Sequence, residues 1–192
     1  MRISGGSAKG RKVGARKAFS RKTGDDELRP TSSKVREAIG DILQSNLTGS
    51  SFLDLYAGTG AVGIEALSRG AGRVVFVESN DLRVKLIREL ISEFHFEARS
   101  RVTKAKAYDF VEKTPRDHGG YDIVFLDPPY SSEELMKILP LIGEGGIVKD
   151  KGLVLVEHFF KRSLPDIING LHLLKVYRYG DTSLSLYQKV KT

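Results

Sequence analysis

The chain has 192 residues, of which 40% are hydrophobic, and a formal net charge of +7. This length suits one globular domain with a small extension, and the lack of cysteine excludes disulfides and cysteine-based zinc or iron–sulfur sites. No apolar run reaches the length of a membrane span and no signal peptide is recognisable, so we expect a cytoplasmic protein, by default a monomer.

The positive charge is concentrated at the N-terminus. Of the 31 basic side chains, eight lie in residues 1–24, which hold no Asp or Glu, so the other 23 nearly balance the 24 acidic ones. Such a segment suggests a nucleic-acid partner, although a solvated tail that only aids solubility has the same composition. Its five glycines and few apolar residues do not favour independent folding. We define residues 1–28 as the basic arm and 29–192 as the main domain.

The main domain alternates helices and strands. Pro30 and the cluster 31–33 predict a helix start, and apolar residues follow at helical spacing. After a break at 48–51, the pattern predicts helices at 61–70, 82–94 and 132–142, and strands at 51–56, 73–78, 101–107, 121–127, 152–158, 171–179 and 183–190. Pro140 is expected to kink the last helix. The alternation predicts an α/β fold with a mostly parallel sheet and helices on both of its faces. The last two strands, joined by a short turn, should pair antiparallel to each other.

The first strand is followed by a glycine-rich loop. Gly58, Gly60 and Gly63 have the GxGxxG spacing, and the helix N-terminus beyond them offers unpaired N–H groups. Glu78 ends the second strand, where a carboxylate can accept both hydroxyls of a ribose. The plainer alternatives are a tight turn and a solvated acid. Together the two features accept a dinucleotide or any adenosine-bearing cofactor, without choosing between them.

The fourth strand ends in Asp127–Pro128–Pro129–Tyr130, which favours an amino-group methyltransferase. Consecutive prolines remove backbone donors and stiffen the chain. Asp127 and the Pro128 carbonyl can each accept a hydrogen bond from one N–H group of a planar exocyclic amine. These two hydrogen bonds would turn the lone pair of the amine towards a methyl sulfonium. Tyr130 can stack on the base. A dinucleotide oxidoreductase has no use for this motif.

The chain resembles the class I S-adenosylmethionine-dependent methyltransferases, and within them the bacterial 16S rRNA guanine-N2 methyltransferases named for guanine 966. The resemblance covers nearly all of the chain and rests on MRISGGSAKGRKV, LRPTSSKVREAIGDIL, FLDLYAGTGAVGIEALSRGA, VFVE, FLDPPY, LVLVEH and YRYGDTSLSLY. The glycine loop and DPPY are shared by many methyltransferases, whereas the basic opening, the RPT–VREA helix and the YGDT close are more particular. The resemblance implies a Rossmann-like fold with a seven-stranded sheet.

The resemblance also implies roles for individual residues. S-adenosyl-L-methionine would be the cofactor, with its methionine part on the loop residues Asp54, Ala57, Gly58, Thr59, Gly60 and Gly63 and its ribose on Glu78. The residues 127–130 would hold the acceptor amine of 16S rRNA or of the assembling small subunit. Where related chains often place an acidic or amide residue near the adenine, this chain has Lys106, which cannot accept a hydrogen bond. The backbone of Ala107, or Asp109, would take that role.

The basic arm then becomes the expected contact to RNA phosphates. We assign this contact to Arg2, Lys9, Arg11, Lys12, Arg16 and Lys17. We add Arg36 as a phosphate or cofactor-side contact, the alternative being a surface ion pair with Glu37 or another acid. His158 is expected to be structural, as are Tyr177, Tyr179 and Tyr187. The remaining histidines show no metal-ligand spacing, so no metal is expected.

Two further functions stay open at this point. The motif DPPY also suits DNA adenine or cytosine amino-methyltransferases, although the large target-recognition domain that is usual in those enzymes is missing. A non-catalytic RNA-binding factor of ribosome assembly could keep a methyltransferase fold. The intact glycine loop, Glu78 and DPPY argue against the non-catalytic alternative.

Overall fold

The computed structural model describes residues 2–12, 32–115, 117, 119–129 and 133–190. Its helices are α1 Ser33–Ile42, α2 Gln44–Leu47, α3 Ala61–Ser68, α4 Asp81–Glu93, α5 Ala107–Lys113 and α6 Glu134–Glu144. Its strands are β1 Ser51–Leu55, β2 Arg73–Glu78, β3 Ser100–Lys104, β4 Tyr121–Leu126, β5 Val148–Phe159, β6 Ile167–Ile168, β7 Leu171–Tyr179 and β8 Thr182–Lys189. No helix in this described part is long and apolar enough to cross a membrane.

The strands form one sheet in the order β3-β2-β1-β4-β5-β8-β7-β6. The pairs from β3 to β5 are parallel, and β8 runs antiparallel to both β5 and β7. The mostly parallel sheet with an antiparallel last strand is therefore confirmed. The sheet has eight strands in place of the predicted seven, because the two-residue β6 adds to the edge of β7. So short a strand has no sequence pattern of its own.

Helices cover both faces of the sheet, as the alternating pattern predicts. Phe52 of β1 and Phe76 of β2 pack with residues of α1, α3 and α4. Leu53 and Leu55, which point the other way along β1, pack with residues of α5 and α6. These strand side chains are fully buried, and each contributes roughly 1.5–3 kcal/mol by leaving water. Because β1 is buried on both faces, it reads as a continuous apolar run interrupted only by Asp54.

Side-chain caps fix where two of the helices begin. The Ser32 side chain accepts a hydrogen bond from the Val35 N–H, at the helix start that the cluster 31–33 predicts. Asn80 does the same for α4, accepting from the backbone N–H groups of Leu82 and Arg83. The segment 101–107 was predicted as one strand, and this is wrong at its end: β3 stops at Lys104 and α5 begins at Ala107.

The first residues of the basic arm pack on the main domain. Ile3 is only 1% exposed, and backbone bonding between Arg2 and Lys12 closes residues 2–12 into a compact turn. The Ser7 N–H donates to the Ser68 carbonyl at 2.7 Å, at the C-terminal end of α3. Gly6 allows this approach, since a Cβ there would lie 1.8 Å from the Ser68 carbonyl oxygen. The other arm residues, 1 and 13–28, lie outside the described residues.

Candidate active site at the carboxyl edge of the sheet

Three strands bring their carboxyl ends together at one edge of the sheet. Leu55, the last residue of β1, pairs with Val77 of β2 on one side and with Leu126 of β4 on the other. The residues that follow are therefore neighbours, which brings Glu78 and Asp127 to either side of the loop after β1. In open α/β sheets this edge is where ligands bind.

Asp54 lies beneath the glycine loop and is 1% exposed. Its Oδ2 accepts a hydrogen bond from the Gly63 N–H at 3.0 Å, which ties the first turn of α3 to β1. Burial raises the pKa of Asp54 to about 8, the Gly63 bond opposes this rise, and the charges of Asp127 and Glu78 add to it. Asp127 and Glu78 thus lie near enough to Asp54 for their charges to act on its carboxyl group.

Glu78 holds the glycine loop from the side of β2. Its Oε2 accepts from the Gly58 N–H and its Oε1 from the Asn80 N–H, both at 2.8 Å. Arg83 lies 3.9 Å from the carboxylate. A carboxylate oxygen can accept more than one hydrogen bond, so Glu78 keeps acceptor capacity beyond these two backbone groups. It therefore both shapes the loop and stays available to a donor such as a ribose hydroxyl.

The glycines of the loop serve different purposes. A Cβ at Gly63 would lie 2.2 Å from the ring of Phe76, so this glycine permits close packing of α3 on the sheet. Gly60 has φ 76° and an added Cβ would meet Ile87 at 2.9 Å. At Gly58, with φ 55°, the nearest atom would be the Tyr56 carbonyl oxygen at 3.8 Å. The space beside Gly58 is thus open to a ligand. Ala57, just before Gly58, and Thr59, just after it, are buried.

Tyr56 was not singled out from the sequence, yet it opens the loop in an unusual conformation. Its φ of 65° lies in the left-handed region, which is uncommon for a bulky residue and costs conformational energy. Burial, and next the nearby Glu134 carboxylate of α6, raise the pKa of its hydroxyl. Tyrosine has no sequence signature for positive φ, so only the backbone reveals this strain.

The motif Asp127–Pro128–Pro129–Tyr130, which we call the acceptor motif, begins directly after β4. Asp127 is partly buried, Pro128 is buried and Pro129 is exposed, while Tyr130 lies outside the described residues. The register of Leu126 with Val156 places Asp127 beside Glu157 of β5, whose side chain is 4% exposed. Glu157 is thus a further acidic residue at this edge, and the sequence analysis gave it no role although it lies in the segment LVLVEH.

The end of β3 also reaches this edge. The Ala105 N–H donates to the Glu78 carbonyl at 3.1 Å, so the following residues lie close to Glu78. Lys106 is exposed and precedes α5, whose first residue, Ala107, is buried. Asp109 lies in the first turn of that helix. The adenine contact assigned to Ala107 or Asp109 stays a prediction.

Arg36 does not have the exposed position expected of a phosphate contact. It is 7% exposed and lies with Glu65 and Arg69 between α1 and α3. Burial lowers its pKa, and the Glu65 charge acts in the opposite direction. The exposed phosphate contact predicted for Arg36, and the alternative of a surface pair with Glu37 or another acid, are corrected to a buried position where the charge of Glu65 acts on Arg36. The cofactor-side contact of Arg36 stays a prediction. The amphipathic α1 turns this side chain inward, together with Val35 and Ile39.

The basic residues of the arm are divided by the structure. Lys9 and Lys12 are exposed, as is Arg2, whose Nε donates to the Gly10 carbonyl. Arg11 stacks over the Phe94 ring at 4.6 Å and donates to the Glu93 carbonyl at 2.9 Å, so it also fastens the arm to α4. Arg16 and Lys17 lie outside the described residues. The arm contacts assigned to RNA phosphates stay a prediction.

The residues expected to be structural are engaged inside the protein. The ring nitrogens of His158 lie 2.8 Å from Ser185 Oγ and 3.0 Å from the Phe159 carbonyl, and burial lowers its pKa. Tyr187 is buried and donates to the Pro165 carbonyl. Tyr177 and Tyr179 pack against the core on the α1 face. Among the described residues, no group of three or more His, Asp or Glu side chains could hold a metal ion.

Three features define the class I methyltransferase fold. They are the strand order, the glycine loop after β1 and Glu78 at the end of β2. Solved structures agree with this assignment. The structure described as "Putative methyltransferase yhhF from Escherichia coli" is similar with a TM-score of 0.83 and 28% identity, and the match covers 100% of this chain and 99% of that one.

Sequence comparison defines the family. A family model described as "Conserved hypothetical protein 95" matches residues 1–188. The "Putative rRNA methyltransferase YlbH" of Bacillus subtilis is 31% identical over 189 residues, 98% of this chain and 99% of the relative. The "Ribosomal RNA small subunit methyltransferase D" of Escherichia coli is 30% identical over 190 residues, 98% of this chain and 90% of the relative. The chain belongs to this family of methyltransferases.

Proposed function

We propose that this protein transfers a methyl group from S-adenosyl-L-methionine to the exocyclic N2 of a guanine in 16S rRNA of the small ribosomal subunit. One observation carries the proposal: the glycine loop with Asp54 and Glu78 lies at the same sheet edge as Asp127 and Pro128. A cofactor site and an amine-acceptor motif are thus adjacent. The names of the relatives support ribosomal RNA as the substrate, and such a substrate would place the protein in the cytoplasm.

The residues beside the loop fit the cofactor. The open space next to Gly58 admits a ligand close to the backbone, and Glu78 retains acceptor capacity for ribose hydroxyls. The loop residues that would hold the methionine part are Asp54, Ala57, Gly58, Thr59, Gly60 and Gly63, and Ala107 or Asp109 would contact the adenine. When bound, the cofactor supplies an electrophilic methyl group on a sulfonium.

The acceptor motif positions the amine. An exocyclic nitrogen is a weak nucleophile because its lone pair is delocalised into the ring. Asp127 accepts a hydrogen bond from one N–H group of this nitrogen, and the Pro128 carbonyl accepts a hydrogen bond from the other. Together they orient the lone pair towards the methyl group. The two prolines keep these acceptors fixed. Tyr130 stacks on the extruded base. The methylated nitrogen then loses its proton readily to water, so no further base is required.

The basic arm adds affinity that does not depend on base identity. The exposed Arg2, Lys9 and Lys12, together with Arg16 and Lys17, contact RNA phosphates. The choice of nucleotide then comes from RNA shape and from the extruded base. The protein acts on naked 16S rRNA or on the assembling subunit, as a monomer.

The test uses labelled S-adenosylmethionine. The protein is offered unmodified small subunits, naked 16S rRNA and DNA in parallel, and the products are digested to nucleosides. We expect N2-methylguanosine from ribosomal RNA, and the comparison of subunit with naked RNA identifies the substrate state. A methylated DNA base would overturn the RNA assignment. Cofactor binding without transfer to any substrate would favour a non-catalytic assembly factor.

A further inference from the structure

The loop after β5 and the hairpin between β7 and β8 form a second feature at the carboxyl edge. Phe159 pairs with Thr182 at the start of β8, and Thr182 pairs in turn with Tyr179 at the end of β7. The Phe160 N–H donates to the Asp181 carbonyl at 3.0 Å. The loop and the hairpin turn are thus held together by backbone bonds.

Within this feature, the guanidinium group of an arginine lies over an aromatic ring. The guanidinium carbon of Arg178 is 4.0 Å from the centre of the Phe160 ring. Its Nε donates to the Gly180 carbonyl at 3.2 Å, which fixes the orientation of the guanidinium plane. Phe159 meets Phe160 edge to face, with ring centres 4.9 Å apart. Arg178 is exposed, so the guanidinium face turned away from Phe160 is available. We call Phe160 and Arg178 the guanidinium platform.

The platform lies near the amine-acceptor motif. Leu126, the last residue of β4, is in register with Val156, so Asp127 begins one residue beyond this pair and Phe160 follows the end of β5 on the neighbouring strand. Strands are spaced about 4.8 Å apart, which places Arg178, on the third strand from β4, roughly 15 Å to the side of Asp127. A few nucleotides of RNA span that distance.

We infer that the guanidinium platform stacks an unpaired nucleobase of the RNA that flanks the target nucleotide, and that the exposed Lys161 contacts a phosphate beside it. The inference rests on the proposed function. Single-stranded RNA is commonly held by bases stacked on aromatic rings or on arginine planes, with basic groups along its backbone. Lys161 lies 5.7 Å from the same ring, so charge and stacking surface occur together.

The location distinguishes this contact from an ordinary surface cation–π pair. Such a pair contributes little at an exposed site and gives no reason for its position. Here it stands at the sheet edge that carries the acceptor motif, on a hairpin with fixed geometry. Extruding the target base leaves its neighbours unstacked, and a rigid planar surface a few nucleotides away stabilises that arrangement.

The test separates stacking from charge at one position. Arg178→Lys keeps the positive charge but removes the plane, whereas Arg178→Ala removes both. On the RNA substrate that accepts methyl groups, we expect Arg178→Lys to weaken binding by about 5- to 150-fold with an almost unchanged salt slope, which corresponds to the loss of one stacked base. Arg178→Ala should weaken binding further and flatten the slope. Phe160→Leu should resemble Arg178→Lys.

Arg88→Lys, at an exposed position on α4, is the matched control and should bind as the unchanged protein does. Circular dichroism and cofactor affinity report whether each variant is folded. If both Arg178 variants bind RNA as tightly as the control, the platform is not an RNA contact. Arg178→p-benzoylphenylalanine identifies the neighbour: crosslinking to RNA is expected, and crosslinking only to a ribosomal protein overturns the inference. Absence of methyl transfer by the unchanged protein would refute the proposed function instead.

Discussion

At the residue scale, the proposed mechanism gives Asp127 the most specific chemical role. Asp127→Ala removes an acceptor of the amine but no part of the glycine loop. We expect methyl transfer to fall by about 100-fold or more, because the lone pair is no longer oriented, while calorimetry shows cofactor affinity within a few-fold of the original. Transfer at the original rate would refute the amine-pocket mechanism.

The residue Asp54 gives a pH-dependent test. Its folded-state pKa of about 8 lies above the ordinary 3.8, so the folded protein retains a proton that the unfolded chain releases. The stability from this group is complete below pH 3.8 and is lost as pH rises through about 8. Asp54→Asn cannot titrate. Between pH 3.8 and about 8, the free energy of unfolding of Asp54→Asn should therefore rise with pH relative to that of the original protein, by at most about 1.4 kcal/mol per pH unit.

Urea unfolding of the ligand-free proteins at about pH 5, 7 and 9 measures this difference. The asparagine oxygen can still accept the Gly63 N–H, so the comparison isolates the charge. A stability difference that does not vary with pH would show that Asp54 is not held protonated.

At the scale of elements, α3 joins the arm to the sheet. Glu65, 3% exposed, accepts from the Ser4 N–H at 3.0 Å, from Ser4 Oγ at 2.6 Å and from Arg69 Nε at 3.1 Å. Glu65→Ala leaves the partly buried Arg69 and the two donors of Ser4 without this acceptor, although Arg69 still pairs with Asp41. We expect the free energy of unfolding to fall by about 3 kcal/mol, measured with urea. Glu89→Ala, exposed on α4, should change it by less than about 0.5 kcal/mol.

The docking of the arm also changes how its RNA contact is best tested. Deleting residues 1–24 would remove the buried Ile3 along with the cations. Replacing Lys9, Lys12, Arg16 and Lys17 by alanine leaves that packing in place. We expect weaker RNA binding and a salt slope reduced by up to about 0.7–0.9 per phosphate contact, with the same unfolding midpoint. An unchanged slope would assign the arm a purely structural role.

At the scale of the whole molecule, the two edges of the sheet serve different purposes. At the amino edge, Asp122 of β4 accepts from Ser51 N and Oγ and pairs with Lys149 at 2.8 Å. Burial raises the pKa of Asp122, but the hydrogen bonds from Lys149 and Ser51 outweigh it and lower the pKa to about 2. Stability from this group is present above pH 3.8 and is lost as pH falls through about 2.

Asp122→Asn should accordingly lower the neutral-pH stability by about 1 kcal/mol, a small effect because the pair is partly exposed to solvent. The loss should shrink in acid. Methyl transfer should stay at the original rate, because the candidate active site lies at the carboxyl edge, at the other end of the strands. Reduced transfer with unchanged stability would contradict this separation of the two edges.

The sequence predicted most of the fold because its signals are local. The parallel strands are continuous apolar runs, the glycine loop has a fixed spacing, and the cap at Ser32 stands where its residue type predicts. The short helix α5 was missed, because its seven residues directly follow a weak strand with no break signal. The docking of Ile3, the inward turn of Arg36 and the position of Glu157 depend on contacts between distant parts of the chain. No local pattern encodes those contacts.

The attachment of the arm to α3 has a consequence for how the protein folds. Ser4 and Glu65 are 61 positions apart, as are Ser7 and Ser68. During synthesis the arm emerges long before the helix on which it rests, so it stays unattached until α3 has emerged and packed. Closing so long a loop late is entropically slow. We therefore expect protection of the arm's amide hydrogens to appear in the last phase of refolding, after the central strands are protected.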